Sequence, residues 1–213
     1  LGFLNSQMYP SLRYSIFCGE PLTQRVADAW MIAAPNSTVE NLYGPTEATV
    51  FVSRYLYTEM DSKKKYNNSI VPIGRPFIGH NMKLVDNDDI PVSDSEEGEL
   101  VISGNQVTKG YLNDDEKTGN AYVKMPWDDL DRIWYKTGDL VFTNSNGDFE
   151  FIGRKDMQIK IAGHRIEIGE IEAYLGGAIR GENAVVVPCR DGSGIVKYLV
   201  CFVTNVINNG DIN

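Results

Sequence analysis

Cysteine and histidine are scarce. Cys18, Cys189 and Cys201 are the only thiols in 213 residues, with neither C-x-x-C spacing nor an even count, and only His80 and His164 could supplement them. Neither a zinc cage nor a disulfide framework is expected from that set, and the thiols are expected to stay reduced. Long apolar runs are missing too. No stretch of about eighteen apolar residues occurs, and Leu1-Gly2-Phe3-Leu4 is too short and uncharged for a signal peptide, so stable membrane insertion is not expected and a cytoplasmic setting is the default. Positive charge is also short. With 20 Lys and Arg against 29 Asp and Glu, the formal net charge of -9 opposes bulk binding to nucleic acid. The one basic run, Lys63 to Lys65, suits a solvated loop tip.

What remains is an ordinary globular composition, 42% hydrophobic and 23% charged, without internal repeats. The length admits one large domain or one and a part, at roughly 100 to 200 residues per domain. The chain opens without Met and closes on a largely polar stretch from Thr204 to Asn213, and it is expected to be an excised piece.

An apolar run at Tyr14 to Cys18 meets Gly19-Glu20-Pro21-Leu22. Thr23 can then cap a helix through Ala34 whose apolar side includes Val26, Ala29, Trp30 and Ala33. Thr38 to Tyr43 is expected as a second strand, Gly44-Pro45-Thr46-Glu47 as a loop, and Thr49 to Tyr57 as a further β-rich run. From Ile70 to Ile152 helical patterns are scarce. Short strands are expected at Asn81 to Val85, Glu99 to Ser103, Leu140 to Thr143 and Asp148 to Ile152, with Asn87-Asp88-Asp89 and Asn144-Ser145-Asn146-Gly147 as hairpin turns, which suggests a small antiparallel sheet or distorted barrel. An α+β unit is expected to begin near Asp156. It comprises Gln158 to Ile161, a Gly163-His164 turn, Arg165 to Ile168, a helix from Glu170 to about Leu175, and strands near Ala184 to Pro188 and Tyr198 to Val203.

Three constellations carry chemistry. Asn41-Leu42-Tyr43-Gly44-Pro45-Thr46-Glu47 puts an amide, an aromatic ring, a hydroxyl and a carboxylate on one short segment. Tyr can lie against a purine, Asn can accept from its amine, Thr can donate to a phosphate, and Glu can hold Mg²⁺. Taken alone, Gly-Pro-Thr-Glu also suits a surface turn. In Tyr135-Lys136-Thr137-Gly138-Asp139-Leu140, an Asp just before a strand can accept from a vicinal diol or simply bond its own backbone. The third runs from Gly153-Arg154-Lys155-Asp156 through Ala162-Gly163-His164 to Gly169-Glu170-Ile171-Glu172.

Together with Gly98-Glu99-Leu100-Val101-Ile102-Ser103-Gly104 and Gly110-Tyr111-Leu112, these ordered blocks closely resemble the adenylate-forming (AMP-binding) superfamily of acyl-CoA ligases, luciferases and non-ribosomal peptide adenylation domains. The resemblance spans nearly the whole chain and implies an α+β fold, the C-terminal part of an adenylate-forming enzyme. Residues 1–155 would be the end of an α/β layer followed by a small distorted β-barrel, and residues 156–213 a hinge with a truncated small domain. ATP (or AMP) and Mg²⁺ are the implied cofactors. Asn41 and Tyr43 would face adenine, with Leu42, Gly44 and Pro45 shaping the same segment. Thr46 at the α-phosphate and Glu47 on the magnesium ion would be the catalytic pair. Asp139 would hold the ribose, assisted by Arg154 beside Gly153. Asp156 matches the hinge of the mobile small domain, and Gly163 the point where a pantetheine arm enters.

Within that superfamily, Phe17-Cys18-Gly19-Glu20-Pro21-Leu22 and Gly44-Pro45-Thr46-Glu47-Ala48-Thr49-Val50 resemble the D-alanine-activating ligases that load a carrier protein. By that resemblance Cys18 and Val50 would border a small amino-acid pocket; Cys18 equally suits a buried structural thiol. One departure is Phe151-Ile152-Gly153-Arg154, where the family commonly has a Tyr before the Gly-Arg pair. The implied reaction is adenylation of a small amino acid or other carboxylic acid, then transfer to the pantetheine thiol of a carrier protein. An adenylation domain for another amino acid, an acyl-CoA ligase and a non-catalytic nucleotide-binding or carrier-docking module are the alternatives. The family's phosphate loop and terminal lysine are not among these residues, so the isolated chain is expected to adenylate little.

Overall fold

The computed structural model describes residues 4–93, 95–156, 158–161, 163–178, 184–192 and 194–203. The chain divides into two compact units, Leu1–Lys155 and Asp156–Asn213. Each is described by itself.

The first unit opens with a strand, helix, strand crossover. Strand β1 (Tyr14–Phe17) leads through α1 (Gln24–Ala33) to β2 (Thr38–Tyr43), and the two strands pair in parallel, Phe17 beside Asn41. Thr23 occupies the N-cap position in extended geometry, but its side chain makes no capping bond, and its carbonyl instead accepts from Val26 N and Ala27 N. The inner face of α1 and this sheet close over Leu22, Ala27, Val39, Tyr55, Tyr57 and Val71. The sheet is completed antiparallel by β3 (Ser53–Tyr57) and β4 (Arg75–Pro76).

The expected strand from Thr49 onward begins only at Ser53. A 3-10 turn spans Thr46–Ala48, and Thr49 and Val50 take φ of 55° and 77°. For β-branched residues that region is strained. Tertiary bonds hold it: Thr49 Oγ1 donates to Gln106 O at 2.8 Å, and Gln106 Nε2 donates to Thr49 O at 3.1 Å. The strand propensity of Thr and Val is overridden there.

The second sheet contains β5 (His80–Val85), β6 (Gly98–Gly104), β7 (Tyr122–Lys124), β8 (Ile133–Thr143) and β9 (Phe149–Arg154), in the order β5-β6-β8-β7 with β9 also on β8. All pairs are antiparallel. β8 serves two neighbours on one side. Its first residues pair with β7 and its last with β9, so the sheet curls along its length. Strand periodicity explains the double-sided burial of β6: Leu100 and Ile102 join a core with Ala48, Val52, Met82 and Val141, while Val101 packs with Val85, Met125 and Trp134. The Asn144 turn is as expected, with Asn144 Oδ1 accepting from Asn146 N and Asp148 N. Helix α2 (Asp115–Ala121) arises where no helix is expected; Asp114 caps it by accepting from Lys117 N at 2.9 Å.

In the second unit, β10 (Gln158–Ile161) and β11 (His164–Glu167) form a hairpin, followed by α3 (Ile168–Ala178) and the antiparallel pair β12 (Ala184–Arg190) and β13 (Val196–Val203). Ile168, Ile171 and Leu175 recur at helical spacing and turn α3 onto Ile159, Val186 and Val196. That stripe starts the helix at Ile168, two residues before the expected Glu170. Among the described residues, no helix is long and apolar enough to cross a membrane.

Candidate functional site

Three candidate residues from three strands of the first unit converge. Tyr43 ends β2, Asp139 lies within β8, and Arg154 ends β9 opposite Asp139. The Tyr43 hydroxyl donates to Asp139 Oδ2, and Arg154 Nη1 donates to Asp139 Oδ1 at 2.7 Å. Both oxygens of one buried carboxylate are thus engaged by charge-assisted or phenolic donors. Burial, then the Asp139 charge and its hydrogen bond, raise the Tyr43 hydroxyl well above the usual tyrosine range, so it stays a donor.

A bulge presents Asp139. Between the Val101–Lys136 and Glu99–Leu140 pairs, β6 advances two residues and β8 four. Gly138 accommodates the detour at φ 71°, a region open to glycine at little steric cost. Asp139 N is satisfied by Thr137 Oγ1 at 3.0 Å.

A second cluster surrounds Glu47. This carboxylate is 6% exposed, and its Oε1 accepts from the Tyr111 hydroxyl at 2.7 Å. Tyr111 continues into a run of rings with Tyr122 and Tyr135, at centroid separations of 5.7 and 5.1 Å. Burial, followed by the bond to Glu47, pushes the Tyr111 hydroxyl up to about 12. Thr46, next to Glu47, is exposed. Among the described residues no three His, Cys, Asp or Glu side chains form a metal cage. A magnesium ion does not need one, since it commonly takes one or two carboxylates together with substrate phosphates and water.

The other candidates sit as follows. Asn41 is buried, and its Nδ2 donates to the Val71 and Pro72 carbonyls at 3.2 and 2.9 Å, so its amide braces β2 and only Oδ1 is left to face outward chemistry. Leu42 is buried, and Pro45 precedes the 3-10 turn. Gly44 is crossed closely: a Cβ there would lie 2.5 Å from Phe51 Cα. Gly153, on β9, has open space where a Cβ would project. Cys18 follows β1 and is exposed, as is Val50 at 60%. Asp156 begins the second unit and its Oδ1 accepts from Gln158 N at 3.0 Å. Gly163 turns the β10–β11 hairpin at φ 80°. Sequence spacing does not reveal Glu99, Thr137 and Tyr111 as partners of the candidate groups. Their sequence signal is membership of the Gly98–Gly104, Tyr135–Leu140 and Gly110–Leu112 blocks, which does not say which group each one meets.

Comparison with known proteins places the chain in a family. The AMP-binding enzyme family matches residues 3–112. The D-alanine--D-alanyl carrier protein ligase of Lacticaseibacillus rhamnosus is 36% identical over 205 residues, covering 95% of this chain and 39% of the ligase. Tyrocidine synthase 3 of Brevibacillus parabrevis is 35% identical over 199 residues, covering 93% of this chain and 3% of the synthase. Among solved structures, the Vibrio cholerae adenylation domain AlmE in complex with glycyl-adenosine-5'-phosphate has a TM-score of 0.83 at 35% identity, covering 95% of this chain and 38% of that one. This chain therefore spans well under half the length of the relatives it matches, and its α+β fold is that of part of an adenylation domain. With the family match running from residue 3 to residue 112 and these identities extending it over nearly all the rest, the chain belongs to the AMP-binding enzymes.

Proposed function

We propose that this chain is part of a ligase that adenylates a small amino acid, D-alanine in the first instance, and passes it to the pantetheine thiol of a carrier protein in the cytoplasm. The observation that carries the nucleotide half of the reading is the meeting of Tyr43, Asp139 and Arg154. An aromatic ring, a carboxylate with two acceptor oxygens and a guanidinium suit a purine nucleoside, with Asp139 and Arg154 toward the ribose diol and the Tyr43 ring toward adenine. Asn41 Oδ1 would accept from the adenine amine, with Leu42, Gly44, Pro45 and Gly153 shaping the walls.

The substrate carboxylate oxygen attacks the α-phosphorus of ATP, the bond to pyrophosphate breaks, and an acyl adenylate results. A pantetheine thiolate then attacks the carbonyl and AMP leaves. No protein nucleophile is required, so the work is positioning and electrostatic. Thr46 donates its exposed hydroxyl to the α-phosphate. Glu47 fits Mg²⁺, which offsets the charge of the phosphates when bound, and Tyr111 holds that carboxylate in one orientation. Cys18 and Val50 border the side-chain pocket. Asp156 serves as the hinge, and Gly163, which carries no side chain, leaves room for the pantetheine arm.

Substrate-dependent ATP–pyrophosphate exchange by the full-length protein tests this, comparing D-alanine, L-alanine, glycine, other amino acids and simple carboxylic acids. Preference for D-alanine is expected. The similarity to tyrocidine synthase 3 and to a domain solved with a glycyl adenylate favours a second reading, an adenylation domain for another amino acid, and preference for such an acid selects it. The 213-residue chain by itself is expected to exchange little. No exchange with any acid by the full-length protein would overturn the catalytic proposal in favour of a nucleotide-binding or carrier-docking module.

A further inference from the structure

The Gly98-Glu99-Leu100 stretch has no role in the chemistry above, yet Glu99 is a carboxylate only 6% exposed on a strand whose next residues, Leu100, Val101 and Ile102, are fully buried. A buried charge is costly unless it is well partnered, and simple space-filling would be served by an apolar side chain. Glu99 grips two distant points of the chain. Its Oε1 accepts from Gly138 N at 3.1 Å, and its Oε2 lies 3.2 Å from Lys155 Nζ. Lys155 N in turn donates to Gly138 O at 2.8 Å.

Gly138 is the bulge residue that precedes Asp139, and its own N–H and C=O are both held, one by the Glu99 carboxylate and the other by the Lys155 backbone. One residue on, Asp139 N is held by Thr137 Oγ1, which itself donates to Leu100 O at 2.7 Å beside Glu99. At the bulge β8 leaves the ladder with β6, so on that side these bonds, together with the β9 pairing of Asp139 with Arg154, set the direction in which the Asp139 side chain leaves the strand. We propose that Glu99 is a positioning residue for Asp139, fixing its carboxylate for a ribose diol through Gly138 and Lys155. The proposal rests on the ribose role of Asp139.

The test is calorimetric binding of AMP and of 2′,3′-dideoxy-AMP to the full-length protein and to its Glu99→Ala, Glu99→Asp and Glu99→Gln variants. Glu99→Asp keeps the buried charge but withdraws it from Gly138, and stands in if the Ala variant does not fold. In the Ala and Asp variants AMP affinity is expected to fall roughly tenfold, the scale of one hydrogen bond to a charged group, while dideoxy-AMP affinity stays within about twofold. Glu99→Gln keeps an acceptor for Gly138 N and is expected to retain most of the discrimination. Equal losses for both nucleotides, or discrimination unchanged in the Ala and Asp variants, overturn the positioning role and leave the ribose role of Asp139 intact. If the unmodified protein binds both nucleotides equally, the ribose role itself fails, and the proposal with it.

Discussion

Replacing Asp61 by Asn is expected to lower stability at neutral pH by an amount that shrinks in acid. The carboxylate, 3% exposed, accepts from Lys64 Nζ at 2.6 Å, Tyr66 Oη at 2.7 Å, Thr58 N at 2.7 Å, Thr58 Oγ1 at 2.8 Å and Tyr55 Oη at 2.9 Å. Burial pushes its pKa up, but the bonds from Lys64, Tyr66, Thr58 and Tyr55 outweigh burial and bring it from 3.8 down to about 2. At about 1.4 kcal/mol per unit, a shift approaching two units corresponds to about 2.5 kcal/mol. Lys64 is 42% exposed, so solvent screening reduces this to about 1–2 kcal/mol. The folded pKa lies below the unfolded one. The contribution is therefore complete above about pH 4 and lost as pH falls toward 2. Denaturant unfolding of both proteins between pH 7 and 2, followed by tryptophan emission, measures it. Trp30, Trp127 and Trp134 all lie in Leu1–Lys155, so the signal reports the unit that contains Asp61. The gap between the proteins should narrow by about 1–2 kcal/mol between pH 4 and 2. A constant gap, or one that widens in acid, would refute the assignment.

Gly44→Ala drives a Cβ against Phe51 Cα, and because backbone meets backbone the 49–51 segment must move. A loss of about 2 kcal/mol or more is expected in the same unfolding assay, and a neutral substitution would contradict the close crossing. Tyr111→Phe deletes the hydroxyl that donates to Glu47. It should cost about 1–2 kcal/mol and raise the Mg²⁺ concentration needed for half-maximal pyrophosphate exchange several-fold; an unchanged Mg²⁺ requirement would separate Tyr111 from the metal site.

Local pattern made the crossover at the start legible. An apolar run and a Thr before a helical stripe sufficed for β1, α1 and β2, and the Asn144 turn carries its own Asx chemistry. Elsewhere local and tertiary preferences part. Thr49 and Val50 have strand propensity, yet Gln106 and the crossing over Gly44 impose left-handed backbone. Helix α2 lacks an apolar stripe, and only Asp114 with Asp115 and Glu116 after it hinted at a start. The first half of β8 was hidden because Tyr135 to Leu140 resembles a turn, and its Gly138 proved to be a bulge inside a strand. For the site, motif resemblance picks out Tyr43, Asp139 and Arg154 individually. Their meeting joins residues 96 positions apart and depends on strand register, which composition does not encode. Glu99 and Tyr111 stand inside motif blocks, but their contacts with Gly138 and Glu47 stayed hidden for the same reason.

The bulge in β8 also limits how this segment can change in length. Its detour spans an even number of residues, so the strand re-enters the sheet in phase, with Val141 turned into the core beside Leu100 and Ile102. Deleting one residue between Lys136 and Leu140 would exchange the two faces of everything up to Thr143, setting Phe142 where Val141 now packs. Deleting two would restore the alternation and straighten the strand, but would erase the step from which Asp139 projects. Natural variation here is therefore expected as substitutions or paired losses, and single-residue gaps should be selected against on packing grounds alone, whatever Asp139 binds.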